Sequence, residues 1–411
     1  MKILNLISRI IVGAVFIFSG FVKAVDPLGL TYKFSDYFIA FGIQFLDPIA
    51  LPLAILLSST EFLIGISLFF GYRYKLASWI LIIFMSFFTI LTFILALTNP
   101  VADCGCFGDA IIMTNWQTFF KNLCLLPFTV IIFVYRGEVT ILYSSLKEWI
   151  FMFIYAIVII FLQAYSLRHL PPLDFRPYSI GTYIPEKMVV PEDAPMDEYR
   201  TYLYYEKDGK VKEFTEENYP WQDTSWKFVD SKHVLVKKGY EPPIHDFSMF
   251  DEYDYDNTES VLENRGYTLL LISHNLPKAN KYGLKSANKL AVSASDNNWL
   301  FYCLTASSKP EVEDLSKSLD LEYRFFTTDE IALKTIIRSN PGLILIKEGI
   351  IINKWHFRDF PDPEELNSVY MAQSLTKLRK DSERTTEFFF VSFVFLIALS
   401  IRFFIPVRFL D

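Results

Sequence analysis

The sequence predicts a helical membrane protein that carries a soluble α/β domain. Three observations lead there. Apolar residues make up 52% of the 411-residue chain, and they concentrate before residue 168 and after residue 385. Within those blocks lie stretches of roughly 20 apolar residues, the length a helix needs to cross a bilayer core of about 30 Å. Between residues 267 and 356, short apolar runs alternate with stretches of helical periodicity, the pattern of a mixed sheet covered by helices.

The predicted spans are residues 3–22, 48–70, 75–98, 116–135, 149–167 and 387–405. The stretch 32–46 is apolar but shorter, and Lys33, Ser35 and Asp36 interrupt it. It reads as a helix lying at the membrane interface, with a short core helix as the alternative. The start of the chain lacks the small-residue cleavage site of a signal peptide, so the first span is expected to stay as an anchor. Lys and Arg in short loops set the orientation. With the N-terminus inside, the cytoplasmic face receives Lys2, Arg9, Arg73, Lys75, Arg136, Lys147 and Arg408, while the outer short loops receive Lys23 and Lys33. The loop 99–115 has neither residue type. That asymmetry puts the loop and the soluble block in the periplasm of a bacterial inner membrane, with both termini cytoplasmic.

In the soluble block, residues 199–214 read as a β-hairpin around Asp208-Gly209. The remainder of 168–242 reads as an extended linker or a small β addition. Strands are expected at 268–273, 299–305, 323–327, 343–347 and 350–356. Helices are expected at 278–295, 310–319 and 329–338, the last capped by Thr328 or Asp329. Thr114 and Gln117 form a predicted capping box at the start of the fourth span.

A net charge of −7 with no basic stripe argues against nucleic-acid binding. Four cysteines are too few for a disulfide framework in a chain this long. Cys104 and Cys106 flank Gly105, which makes the bend that would bring the two thiols together accessible. A disulfide closing so small a ring in an oxidising compartment would be exchange-active. A static disulfide or two idle thiols are the alternatives. Two thiolates do not complete a zinc shell, and the five histidines lie outside the spans, so no metal is expected. Cys303 reads as a buried strand residue, Cys124 as a helix-packing residue that could face the bundle interior, and His274 as a surface or cap residue. Glu61 lies inside a span, where an ionisable group is costly. It calls for a structural partner such as Arg9 or Lys23, or for a role in quinone or proton handling.

Two resemblances organise these readings. Asn340-Pro341-Gly342 ahead of an apolar strand, with Glu348-Gly349 after it, resembles the cis-proline strand and hairpin of thioredoxin-like proteins. Pro243-Ile244-His245-Asp246-Phe247-Ser248 resembles the opening of the TlpA-like branch. The slot that holds Cys-x-x-Cys in that fold falls at Asn275–Asn280 and has no cysteine, so this domain cannot perform thiol exchange by itself. The membrane part resembles the DoxX family and its MauE-like branch. The resemblance rests on Arg9, Phe18-Ser19-Gly20-Phe21-Val22-Lys23, Asp26-Pro27-Leu28-Gly29, Glu61 with Gly65, and Asp103-Cys104-Gly105-Cys106-Phe107-Gly108. It implies a four-helix bundle, with disulfide formation or enzyme maturation in the periplasm as the associated work, and quinone-linked redox chemistry in some DoxX relatives.

The domain plan is therefore 1–140 for a DoxX-like transmembrane four-helix bundle, and 147–167 for a fifth transmembrane helix. Residues 168–242 form a β-hairpin and linker region, 243–385 a thioredoxin-like domain lacking Cys-x-x-Cys, and 386–406 a last transmembrane helix. The expected activity is thiol–disulfide exchange at Cys104 and Cys106, supported by the intramembrane polar residues Glu61, Arg9 and Lys23. Quinone is the candidate acceptor, and a periplasmic or envelope protein bound by the soluble domain is the client. The competing reading is a non-enzymatic scaffold in an envelope complex. A transporter is disfavoured because the spans show little charge and no internal repeat.

Overall fold

The computed structural model describes residues 2–101, 103–137, 145–237 and 239–366. The span predicted at 387–405 lies outside the described residues. Tyr183–Phe247 forms one compact unit and the flanking chain forms another.

The membrane part contains α1 (Lys2–Val25), α2 (Pro27–Ala40), α3 (Ala50–Phe70), α4 (Tyr74–Thr98), α5 (Asn115–Val134) and α6 (Ser145–Arg168). All but α2 are long and apolar enough to cross a membrane. Their large outward side chains are apolar, among them Leu56, Ile83, Phe87, Ile90, Ile157 and Phe161, as a lipid-facing surface requires. Helix α1 packs closely on α3 through glycines. A Cβ on Gly20 would lie 2.4 Å from the Phe62 nitrogen, and one on Gly65 2.5 Å from the Ile17 nitrogen. Small residues at such positions let backbones approach where lipid gives helices no hydrophobic drive to associate. Gln163 of α6 reaches Ser58 and Ser59 of α3 at 3.0 and 2.8 Å, so these three polar side chains inside the bundle satisfy one another. Arg9, Arg73 and Arg136 mark the end of the bundle away from the cysteines, with Arg73 over Trp149 and Arg136 over Trp79. That is the interfacial aromatic and basic pairing expected at a headgroup layer.

The helix expected at 32–46 begins earlier and ends sooner. Asp26 caps α2 by accepting from the Gly29 nitrogen at 2.9 Å, and Pro27 occupies its first turn. Leu30 and Phe38 turn inward. Thr114 and Gln117 form the capping box of α5.

The other unit opens with the short helix α7 (Ile184–Met188). It continues into β1 (Glu198–Lys207), β2 (Lys210–Thr215) and β3 (Lys227–Lys237), paired antiparallel in the order β2-β1-β3. The hairpin turn uses positive φ at Asp208 and Gly209, as a two-residue turn of matching twist requires.

The chain then rejoins the first unit with α8 (Thr258–Leu262), β4 (Tyr267–Ser273), α9 (Lys281–Asp296), β5 (Leu300–Thr305) and α10 (Lys309–Leu319). It ends in β6 (Arg324–Thr327), α11 (Glu330–Ile336), β7 (Gly342–Lys347) and β8 (Ile350–His356). The sheet order is β6-β5-β4-β7-β8. Strand β5 runs parallel to β4 and β6, while β7 runs antiparallel to β4 and β8. A parallel β-α-β unit joined to an antiparallel hairpin, with a cis peptide at Asn340–Pro341 ahead of β7, is the thioredoxin-like arrangement. Helix α9 starts at Lys281 rather than 278 because Asn280 caps it, accepting from the Gly283 nitrogen at 3.0 Å. Asp329, of the two candidates, caps α11. Leu269, Leu271, Leu284, Leu290, Leu343, Leu345 and Trp355 form the core.

Candidate functional site

The loop between α4 and α5 folds around its own side chains. Asp103 accepts from the Gly105 nitrogen at 2.9 Å, and Gly105 and Gly108 take positive φ of 66° and 54°, conformations glycine adopts at little cost. The result brings the Cys104 and Cys106 sulfurs to 3.5 Å, within reach of a thiol–thiol hydrogen bond. Asn115, at the start of α5, holds the incoming strand of the loop by donating to Val101 O at 2.8 Å.

Two transmembrane helices and α2 support this loop. From α2, Lys33 pairs with Asp103 at 2.6 Å and Tyr37 donates to Cys104 O at 2.9 Å. From α1, the Ser19 hydroxyl lies 2.9 Å from Cys106 O and 2.8 Å from Glu61 Oε2. Lys23 donates to both carboxylate oxygens of Glu61 at 2.8 and 2.7 Å and to Ser19 Oγ at 3.1 Å. Lys23 and Glu61 are each 5% exposed. An unpaired ion at that depth would be strongly unfavourable, and the bidentate contact offsets much of the desolvation. Lys121 of α5 stacks 4.5 Å over the Phe107 ring.

The two thiols titrate as a pair. The hydrogen bond from Cys104 is the largest influence on Cys106 and favours its thiolate. Burial opposes it, Lys121 and Lys23 assist, and the Cys106 pKa falls to about 6. The thiol of Cys104 is pushed up, first by that same hydrogen bond and then by burial. Cys106 is therefore the sulfur that first carries charge. A cavity of about 280 Å³ adjoins the pair, lined by Phe16, Phe34, Phe38, Phe84, Phe88 and Leu125 together with Ser19, Lys23, Glu61, Lys121, Cys104 and Cys106. Aromatic walls with a few polar groups at one end suit a flat, mostly apolar ligand.

Of the residues singled out from sequence, Cys104, Cys106, Lys23 and Glu61 converge here. Arg9 does not. Its guanidinium donates to Leu68 O at 3.1 Å and lies over Tyr74, a turn-by-turn consequence of sitting at the opposite end of α1 from Lys23. Cys124 is exposed on the outside of the bundle, correcting the inward orientation considered for it. Cys303 is fully buried in the thioredoxin-like core. His274 is half-buried rather than a surface cap, with Tyr32 edge-on at 6.2 Å, and burial lowers its pKa to about 4. Among the described residues, no group of three or more His, Cys, Asp or Glu is gathered to hold a metal. Sequence reasoning missed Ser19, Lys33, Tyr37 and Asp103 as supports. Ser19 and Asp103 stand within or beside the quoted motifs, but only the tertiary contacts reveal what they hold.

Residues 1–135 match the family model described as Methylamine utilisation protein MauE. Residues 199–238, essentially the three-stranded sheet, match a domain of unknown function (DUF8463). No curated protein matches the chain. Two solved structures share features with it. One is described as a candidate protein disulfide isomerase from Bacteroides thetaiotaomicron, 15% identical, covering 33% of this chain and 84% of that one, with a TM-score of 0.24. The other is Peroxidoxin BcpB from Mycobacterium tuberculosis, 10% identical, covering 33% and 94%, with a TM-score of 0.25. The fold assignment rests on the strand order and connections themselves. The chain is a multi-pass membrane protein whose first 135 residues match the MauE family and whose C-terminal region carries a thioredoxin-like domain.

Proposed function

We propose that Cys104 and Cys106 are a redox pair that takes electrons from the thiols of an envelope-protein client and passes them to a quinone-type acceptor dissolved in the membrane. The observation that carries this reading is two thiols 3.5 Å apart at the edge of an apolar, aromatic-lined cavity. In the first half-reaction the Cys104–Cys106 disulfide is reduced to two thiols as a client dithiol becomes a disulfide. In the second, the pair loses two electrons and two protons and re-forms its S–S bond, and the acceptor is reduced by the same two electrons and two protons. Cys106 supplies the thiolate that such exchange needs. Lys23 and Glu61, linked to the Cys106 carbonyl through Ser19, are positioned to hold or move a proton beside the pair. The distribution of Lys and Arg supports an inner-membrane location with the loop and both soluble regions in the periplasm.

The test uses membranes containing the reduced full-length protein. Adding a short-chain benzoquinone should remove the free thiols of Cys104 and Cys106, read by alkylation and mass spectrometry. Thiols that persist despite the quinone would overturn the acceptor assignment. A Cys104→Ser/Cys106→Ser double variant that leaves envelope proteins as oxidised as the wild type does would favour the scaffold reading. Reporter fusions within 99–115 and 168–366 should report a periplasmic location, and a cytoplasmic signal from either would reverse the topology.

A further inference from the structure

The vacant slot of the thioredoxin-like domain is not an open surface. Asn340 donates to Asn275 O at 2.8 Å and accepts from the Asn280 nitrogen at 3.0 Å, so the proline loop and the slot turn form one face. Tyr32 of α2 lies against that face. The Arg338 guanidinium and the Lys334 ammonium sit 5.4 and 5.1 Å from its ring centroid, and His274 meets its edge. Arg338, three residues before Pro341, is 5% exposed. Its Nε donates to Asp26 Oδ2 at 2.8 Å, its Nη2 to Asp109 Oδ2 at 2.9 Å, and its Nη1 to Lys334 O. Asp26 is the cap of α2, and Asp109 belongs to the cysteine loop. A Cβ on Gly29 would come within 3.0 Å of Arg338 Nη2, so the glycine leaves the space the guanidinium uses.

We propose that the thioredoxin-like domain is the bundle's own clamp. In this arrangement α2 occupies the slot face in cis, and Arg338 is a positioning residue that sets the reactivity of the Cys104–Cys106 pair by holding Asp26 and Asp109 together. The proposal rests on the redox reading given above. The mechanical link runs through α2. Arg338 fixes the start of that helix, and the same helix then contacts the cysteine loop through Lys33 and Tyr37. Asp109 gives a second, direct link from Arg338 to the loop. Removing the guanidinium would leave two half-buried carboxylates facing each other, which repel and drive the two segments apart. The planar fork of arginine serves two carboxylates at once, and lysine is a single point charge that can hold one well.

The experiment uses full-length protein in lipid nanodiscs, equilibrated against dithiol redox buffers, with the loop peptide read by alkylation and mass spectrometry. Arg338→Gln should change the dithiol–disulfide equilibrium constant by about tenfold or more and shift the pH midpoint of Cys106 alkylation. Arg338→Lys should fall between it and wild type. Asp109→Asn removes one arm of the clamp, leaves the domain core intact, and should shift both readouts in the same direction. It carries the test if Arg338→Gln does not fold. A folded Arg338→Gln protein, or an Asp109→Asn protein, with wild-type equilibrium and pH profile would overturn the proposal while the redox reading stands. A wild-type pair that does not cycle at all would overturn both.

Discussion

The turn leaving β4 and the proline loop before β7 meet in the geometry where a thioredoxin-like fold carries its thiols, yet no cysteine is there. The loop between α4 and α5 has no such scaffold around it, yet it sets two sulfurs 3.5 Å apart. In one region the architecture persists without the nucleophile. In the other a pair of thiols is supplied by a short glycine-bent loop that needs support from three neighbouring elements. The difference teaches that fold and chemistry are separable within one chain, and that the site must be argued from side chains rather than from the domain that resembles a redox protein.

The sharpest way to break this comparison is to remove the thiols. Cys104→Ser and Cys106→Ser should each reduce thiol exchange to background, and the double variant should be no worse, because the two act as a unit. Alkylation of reduced Cys106 should proceed at pH values above about 6 and fall away below that, as the thiolate is protonated. In Cys104→Ala the hydrogen-bond donor is gone, so the midpoint should move up. A midpoint that stays put would show that the pairing does not set the Cys106 acidity.

A second test concerns what supports the loop. Lys23→Met should leave Glu61 buried without its cation and destabilise the bundle by about 3–5 kcal/mol. The Lys23→Met/Glu61→Leu double variant should recover most of that, because no unpaired charge is left. Thermal unfolding in nanodiscs reads both. A double variant as unstable as the single one would mean the ion pair itself, not the uncompensated charge, holds the bundle. Exchange activity measured in the stable double variant then asks whether the pair also handles protons.

Closer to pure packing, Gly20→Ala should force α1 away from α3, because the added methyl meets the Phe62 backbone rather than a side chain that can rotate. Overpacking of this kind costs about 1–3 kcal/mol, and the shift should carry Ser19 off the loop, since it is the next residue along α1. Wild-type stability in this variant would show that the helices have slack to separate.

The fold was largely readable because its signals are local. Hydropathy marked the spans, Thr114 and Gln117 marked the start of α5, and Asn340-Pro341-Gly342 marked the strand that follows the proline. Strand β3 escaped a firm assignment because most of its described side chains are exposed, which leaves no clear inside–outside alternation to read. The site was half legible. Two cysteines around a glycine stand out in any reading, and an intramembrane Glu61 demands a partner. Choosing Lys23 over Arg9 required knowing that Lys23 shares the loop's end of α1 and Arg9 the far end. Arg338 could not have been found, since its partners Asp26 and Asp109 are 312 and 229 positions away and no periodicity links them.

The smallest expected effect separates the two regions most cleanly. Cys303 is fully buried among Leu269, Leu271, Leu343 and Leu345, and burial alone pushes its thiol pKa up. A thiol in that state is neither nucleophilic nor reachable. Cys303→Ala should therefore remove one sulfur's worth of packing, costing about 1 kcal/mol, and leave the exchange rate of the Cys104–Cys106 pair unchanged. Differential scanning of the full-length protein reads the first quantity and quinone-driven thiol loss reads the second. A Cys303→Ala protein that is stable but exchanges slowly would mean electrons pass through the thioredoxin-like core after all, and the division between a domain that holds and a loop that reacts would fail.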